Sequence, residues 1–466
     1  MMATLTFRDV QVGGRAGLDV RLEAGRIAAI GPRLPRRGDE IDGAGGALIP
    51  GLADHHIHLF ALAAQAGSVE LRDLTSAAGL RARIAAAAAD LPDGAWLRAT
   101  GYHERIAGEL SLATLDALAP RCRLRVQHQT GSLWMLNSVA LAAVAVGDLP
   151  PSLERDAAGA LTGRVWRGDG WLRERLGAEP PDLAPVGRRL ASFGITALTD
   201  ASVTTDAAAA ERLAAAGRAG DLPQRLTLMS GGELHAPADG AFAVGPVKVL
   251  LDDHALIDLD DFTHRIAQAR AWRRPVAVHC VTAAELAITL AAFEAAGALP
   301  GDRIEHGGVI PAEAIGRLRA LGLTVVTQPA FVRERGDRYL ADVDPAEQPD
   351  LYRCASLIAA GVPVAASSDA PYAAPDPWAG MAAAVHRKTA GGEPLGTAER
   401  VPAAQALGLY LGSTEAPGGP PRRAAVGAPA DLCLLRTPLA VLPEATDASI
   451  VRATLIEGRL AHDAGD

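Results

Sequence analysis

The chain has 466 residues, 49% hydrophobic and 21% charged, and its 45 Lys and Arg against 54 Asp and Glu give a formal net charge of −9. That balance excludes the basic stripe of a nucleic-acid binder and the low apolarity of a disordered chain. The length allows about three domains at roughly 150 residues each, or an α/β barrel of about 250 residues with additions.

The first fifty residues alternate in short runs, Thr4 to Val12, Leu18 to Leu22 and Arg26 to Ile30, broken by Gly13-Gly14 and Gly31-Pro32, which predicts small antiparallel strands. From Leu52 the texture changes to apolar strands followed by helices. Strands are expected at Leu52 to His58, Ala95 to Thr100, Leu124 to His128, Ile195 to Asp200, Leu226 to Met229, Val247 to Leu251, Pro275 to His279, Arg303 to His306, Leu323 to Gln328 and Val362 to Asp369. Thr282 with Glu285 three residues on predicts a capped helix running to Gly297, and further helices are expected over Ala312 to Leu321 and Leu351 to Ala360. Only a crossover helix returns a chain to the same sheet edge, so repeated strand-helix units imply parallel strands and a (β/α)8 barrel, with extra segments between about Tyr102 and Arg188. After Ser413 to Arg423, rich in turn residues, short β-like runs return at Ala430 to Leu435, Ile450 to Ile456 and Gly458 to His462. The expected organisation is a composite β-sandwich from residues 1–50 and 421–466 beside a barrel over 51–420.

No run approaches the roughly 20 apolar residues of a membrane helix, and the N-terminus lacks the order of a secretion signal. Cys122, Cys280, Cys354 and Cys433 are scattered without a CxxC pair, which fits a reducing, cytoplasmic compartment and leaves His and carboxylate groups as metal ligands.

Functional side chains of parallel α/β folds gather at the carboxyl ends of the strands. There the sequence carries His56 and His58, Lys248, His279, His306 and Asp369. Residues two apart on a strand share a side, so His56 and His58 can chelate one ion while His55 points away, as a residue behind the ligands or of the core. Neutral imidazoles suit zinc, iron, nickel or manganese, and an open position would activate a water. Lys248 between Val247 and Val249 must leave water, which favours the neutral amine that can take up carbon dioxide as a metal-bridging carbamate; a lysine reaching out from an edge strand is the alternative. Taken singly, His279 and His306 also read as core histidines and Asp369 as a helix cap. The joint occurrence favours a metal ring.

The order D-x-H-x-H, then Lys, His, His and Asp at successive strand ends, resembles the metal-dependent amidohydrolase superfamily, whose fold is a (β/α)8 barrel with a small β-sandwich from both termini. PGLAD before the histidines and VGAPADLCLLR near the end support the likeness. GYHE, LTGRVW, VTQPAF and SDAPYAAPDPW are similar to the branch containing N-substituted formamide deformylase. The resemblance implies one metal on His56, His58 and Asp369, a second on His279 and His306, a carboxylated Lys248 bridging them, and Asp369 as proton carrier between water and leaving amine. Zinc is the expected metal, one or two ions per chain, and family analogy implies a homo-oligomer. TGSLWMLN places Ser132 where that branch often has a histidine, so substrate recognition does not transfer.

The expected function is hydrolysis of non-peptide carbon–nitrogen bonds in amide, N-acyl or cyclic amide substrates by a metal-activated water. The alternatives are a hydrolytic deaminase of a heterocycle on the same barrel, and a silent binding or regulatory barrel. The expected partner is a small molecule, with neither nucleic acid nor membrane. Candidate substrate contacts are His103, Arg105, Asn137 and Gln328, with Gln129, Arg164, Asp252, His254 and Tyr372 also in loops after strands. Arg105 or Arg164 could fork a carboxylate; a surface arginine is the plainer reading of each. No G-x-S-x-G elbow or P-loop occurs.

Overall fold

The structure is a computed structural model that describes residues 4–176, 181–251, 257–441 and 447–465. It divides into two units, Met1–Leu59 with Leu183–Asp466, and Phe60–Asp182.

In the first unit eight strands form one parallel sheet: β1 (Leu52–Ile57), β2 (Ile195–Asp200), β3 (Arg225–Ser230), β4 (Ala243–Val249), β5 (Val276–Cys280), β6 (Arg303–His306), β7 (Thr324–Thr327) and β8 (Val364–Ala366). Each pairs with its neighbour in chain order. Segments such as Val276–Cys280 are apolar on both faces because helices cover the outside and side chains fill the inside. The seam between β1 and β8 is drawn together just past β8, where Asp369 donates its N–H to the His56 carbonyl (2.8 Å) and His58 donates to the Ala370 carbonyl (2.9 Å). Buried Asp54 bolts the same seam, accepting the Ser368 hydroxyl at 2.5 Å and the Ser368 N–H at 3.1 Å. The result is a nearly closed eight-stranded TIM barrel.

The helix after β5, α1 (Ala283–Ala296), opens with the expected capping box of Thr282 and Glu285. The helix after β7 is α2 (Ala330–Asp342), which the sequence reading missed: its charged run RERGDRYLAD has little apolar periodicity, and it forms because Phe331 and Val332 are buried at its base. The helix expected over Leu351 to Ala360 shrinks to Ala355–Ala359, since Tyr352 is held at φ 46° and breaks the run.

Two four-stranded sheets come from the chain ends. One joins Leu5–Val12, Arg15–Glu23, Arg26–Gly31 and Asp39–Asp42; the other joins Leu48–Pro50, Leu432–Leu435, Val451–Ile456 and Arg459–Asp463. Phe7, Val20 and Ile27 of the first share one apolar cluster with Leu432, Leu434 and Leu455 of the second.

The unit Phe60–Asp182 holds a six-stranded sheet in the order Leu153–Arg155, Leu161–Trp166, Leu133–Leu136, Arg123–His128, Trp96–Tyr102 and Val69–Glu70. The runs Ala95 to Thr100 and Leu124 to His128, expected as barrel strands, are therefore strands of this separate sheet. Alternation identifies a strand without identifying its partner, and here the two pair with each other. No helix among the described residues is long and apolar enough to cross a membrane.

Candidate metal centre

Strand register sets the positions at one end of the barrel. Lys248 stands opposite Ala277, and His279 opposite Glu305, on neighbouring strands. Along β6 strict alternation puts Arg303 and Glu305 on one face, and His306 on the other with Ile304. His306 reaches the centre because its backbone turns left-handed at φ 72°, and Asp369, past the end of β8, has φ 55°. Two non-glycine residues in this sparsely populated region, both at the site, mark a backbone held against its preference.

His56, His58 and Asp369 present ligand-type atoms within 4.8 Å of one another. Asp369 Oδ1 lies 3.4 Å from His56 Nε2 and 3.2 Å from His58 Nε2. The His306 ring is 4.8 Å from that of His56, and the His279 ring 4.5 Å from that of His306. Lys248 is buried at 4% exposure, and its charge bears on both His56 and His306. His56, His58 and Asp369 thus share one cluster, the His306 and His279 rings follow it in series, and Lys248 is a buried electrostatic neighbour.

Each of three imidazoles is fixed from behind. His56 donates Nδ1–H to Glu305, His58 pairs Nδ1 with the Ser202 hydroxyl at 3.1 Å, and His306 donates Nδ1–H to Gln328 Oε1 at 2.9 Å. With the protons of His56 and His306 on Nδ1, their Nε2 lone pairs are left for a cation. Burial, then the neighbouring Lys248 for His56 and the neighbouring His279 for His306, push both imidazoles well below their ordinary pKa, keeping them neutral. Burial likewise pulls the Lys248 ammonium down toward the neutral amine, against the opposing charges of Glu305 and Asp369.

Three buried polar atoms here have no hydrogen-bond partner: His56 Nε2, Asp369 Oδ1 and Lys248 Nζ. Lone pairs on His56 Nε2, His58 Nε2 and Asp369 Oδ1 facing one another at these distances repel unless a positive centre lies among them. A tetrahedral ion with bonds of about 2.0–2.1 Å would have ligand–ligand edges of roughly 3.3 Å, which matches the two distances to Asp369 Oδ1. The residues fit a divalent cation.

Glu305 was not singled out by the sequence reading. It is wholly buried, with one oxygen on His56 and the other accepting Arg303 Nε–H at 2.5 Å. Its signal was available: Arg303 and Glu305, two apart on a core strand, can be buried only if paired. Two substrate candidates are wholly buried and engaged within the chain. Gln328 spends its amide on His306 and on the Ser367 hydroxyl (2.9 Å), a contact that orients the histidine. Asn137, also wholly buried, donates to the Ala119 and Cys122 carbonyls and accepts the Leu124 and Ala140 N–H groups, which uses its full capacity as a helix cap. His55 is buried outside the ring, and its carbonyl accepts from Arg303 at 3.2 Å. Tyr372 packs edge-on against His58 with ring centroids 5.6 Å apart.

His103 and Arg105 belong to the second unit. There His103, Glu104 and His128 form a second group with metal-ligand spacing, in which His128 Nε2 lies 3.2 Å from Glu104 and His103 Nδ1 accepts the Arg105 N–H at 3.0 Å. Arg164 already faces Glu109 at 3.5 Å and Glu154 at 3.7 Å, so it is engaged by carboxylates of the chain itself. Asp252 and His254 lie outside the described residues.

The amidohydrolase family profile matches residues 39–462. The N-substituted formamide deformylase of Arthrobacter pascens is 25% identical over 483 aligned positions, covering 88% of this chain and 88% of that protein. An uncharacterised metal-dependent hydrolase from Pyrococcus horikoshii OT3 superposes with TM-score 0.74 at 18% identity, over 96% of this chain and 100% of that one. A second, from Pyrococcus furiosus, gives TM-score 0.70 at 19% identity over 93% and 99%. With the profile spanning nearly the whole length, the chain belongs to the amidohydrolase family and is a metal-dependent hydrolase of carbon–nitrogen bonds.

Proposed function

We propose that the protein cleaves amide, N-acyl or cyclic amide substrates with a water activated at a divalent centre held by His56, His58, Lys248, His279, His306 and Asp369. The observation that carries this reading is the pair of buried atoms, His56 Nε2 and Asp369 Oδ1, 3.4 Å apart and each without a hydrogen-bond partner. A divalent cation bound there would lower the pKa of a water toward about 7 and polarise the scissile carbonyl. Asp369 is the residue placed to take the proton from the attacking water and return it to the departing nitrogen. Its backbone, tied to the His56 carbonyl, keeps the carboxylate in register with both histidines. The imidazole and carboxylate set favours zinc, as one or two ions. Lys248, buried and drawn toward its neutral form, supports a carbamate that would bridge two of them.

Around this centre we read residues 51–420 as the barrel domain and the two terminal sheets as one β-sandwich, residues 1–50 with 421–466, supported by the cluster they share. Four free, buried cysteines support a cytoplasmic setting, and a homo-oligomer is carried over from the family likeness. Activity on formamides, as the relative's name describes, is one member of the substrate class, and Ser132 in place of the branch's histidine favours a different acyl or amine part.

The test is amine release from a panel of amides, N-acyl compounds and cyclic amides by protein loaded with zinc. Turnover that Asp369→Asn abolishes is expected. Ammonia release from heterocycles, with every amide inert, would replace this reading with a deaminase.

A further inference from the structure

Helix α2 starts two residues after Gln328 and carries Arg335. The Arg335 guanidinium lies 3.8 Å from the centroid of the Phe331 ring, one turn back, and donates to the Tyr372 carbonyl at 2.9 Å. Tyr372 is the residue whose ring packs on His58 and whose N–H donates to the Asp369 carbonyl at 2.8 Å. Arg335 is therefore one side chain away from the candidate metal centre, and its charge acts on Asp369.

Among the described residues no carboxylate lies within ion-pairing distance of Arg335, although α2 carries three acids. Glu334 accepts the Ala374 N–H at 3.0 Å, Asp337 accepts the Thr389 hydroxyl and the Gly391 N–H, and Asp342 pairs with Arg338 at 3.1 Å. Arg335 instead sits among rings: Phe331, Tyr339, Tyr352 and Tyr372 belong to one apolar cluster, with the Tyr339 and Tyr352 hydroxyls 3.0 Å apart. A partly buried guanidinium among aromatic rings loses hydration, which ring faces and neighbouring oxygens replace in part and an anion replaces most fully. The Tyr372 carbonyl and the nearby Tyr339 hydroxyl take part of its five N–H donors, and the rest form a planar fork of the kind that fits a carboxylate.

We propose that Arg335 is an anion-recognition residue and that the substrate is an amide bearing a carboxylate on the part that rests against Tyr372. This rests on the hydrolase reading above and narrows its substrate class. The carboxylate would bind end-on to the guanidinium fork while the amide reaches past Tyr372 to the centre. A neutral amide of the same shape would leave the remaining N–H donors of the fork unfilled.

Binding and turnover test the two ideas separately. For binding, N-methanesulfonyl derivatives of glycine, β-alanine and phenylalanine, whose sulfonyl group stands in for a cleavable acyl group, are titrated by calorimetry as free acids and as primary amides. In the wild type the best acid is expected to bind at least tenfold more tightly than its amide. In Arg335→Met that preference falls to within twofold, and in Arg335→Lys, which keeps the charge and loses the fork, it is intermediate. Equal binding of acid and amide by the wild type overturns the proposal. So does a preference that survives in Arg335→Met, or an equal loss for both ligands, which a merely structural arginine would give. For turnover, the matching N-formyl and N-acetyl acids and amides are assayed for amine release. Cleavage of both series without a binding preference leaves the hydrolase reading standing and removes the subsite; a binding preference with no cleavage in either series does the reverse.

Discussion

Replacing Glu305 by Gln changes one atom and reverses a proton. In the wild type one carboxylate oxygen accepts from His56 Nδ1 and the other from Arg303 Nε. An amide cannot accept from both. Arg303 is permanently charged and buried at 1% exposure, so the amide oxygen turns to it and the amide NH2 faces His56. His56 must then accept at Nδ1 and carry its proton on Nε2, the atom aimed at Asp369 and His58. Binding a metal requires restoring the first tautomer and stranding a buried donor, which costs about 1–3 kcal/mol. Losing such a ligand-orienting partner generally weakens metal affinity about 10–100-fold, or about 1.4–2.7 kcal/mol, and the forced tautomer places this variant at the upper end. Zinc affinity is measured by competition with a chromophoric chelator, with melting of the chelated protein as a control for the fold. A Glu305→Gln affinity within twofold of wild type, in protein that melts normally, would refute the tautomer argument.

Gln328→Met leaves the His306 Nδ1–H without its acceptor and is expected to weaken zinc binding about tenfold, while Gln328→Glu, which keeps an acceptor, stays closer to wild type in the same titration. Asp369→Asn should lower kcat by about 10²–10⁴-fold, as expected on losing a positioned proton acceptor, read as amine release at saturating zinc. Lys248→Met should remove any dependence of activity on bicarbonate, and mass spectrometry of the intact wild type at neutral pH should show the added carboxyl mass that the variant lacks. Away from the centre, burial raises the Glu399 pKa, but bonds from Ser356 and Arg353 (2.6 Å to Arg353) outweigh it and hold the group below its ordinary value. A lowered carboxylate pKa stabilises the fold above the unfolded value of about 4.3 and ceases to do so as pH falls through the folded value. Glu399→Gln should therefore cost about 1–3 kcal/mol at pH 7 in urea unfolding, since Arg353 keeps its pair with Asp350, and less at pH 3, so the wild-type and variant curves converge in acid.

The parts of the molecule that were legible in the sequence are those governed by local period. His56 and His58 two apart on an apolar strand, and Lys248 amid valines, follow from alternation alone, and their convergence follows from the parallel topology of the strands. The capping box at Thr282 is similarly local. What escaped depends on partners distant along the chain. Arg123–His128 has the pattern of a barrel strand, and only its pairing with Trp96–Tyr102 places it elsewhere. His306 was correctly assigned to a strand end, yet its approach to the centre depends on a left-handed backbone that alternation does not foresee. Glu305 and Gln328 were hidden for a related reason: each stands beside or behind a ligand, and their role is visible only when the ring nitrogen they hold is known. Arg335 lay within a charged run that reads as a solvated face until every acid of its helix is seen to be occupied.

The proposed function requires that buried imidazole and carboxylate acceptors at the barrel end hold a divalent cation. Elemental analysis of protein purified without added metal or chelator, compared with His56→Ala/His58→Ala, tests it most directly. Expected are one to two equivalents of a divalent metal, chiefly zinc, in the wild type, a loss of at least one equivalent in the double variant, and activity that chelation abolishes and zinc restores. Wild-type protein that purifies and acts without metal, indifferent to chelation, would contradict it.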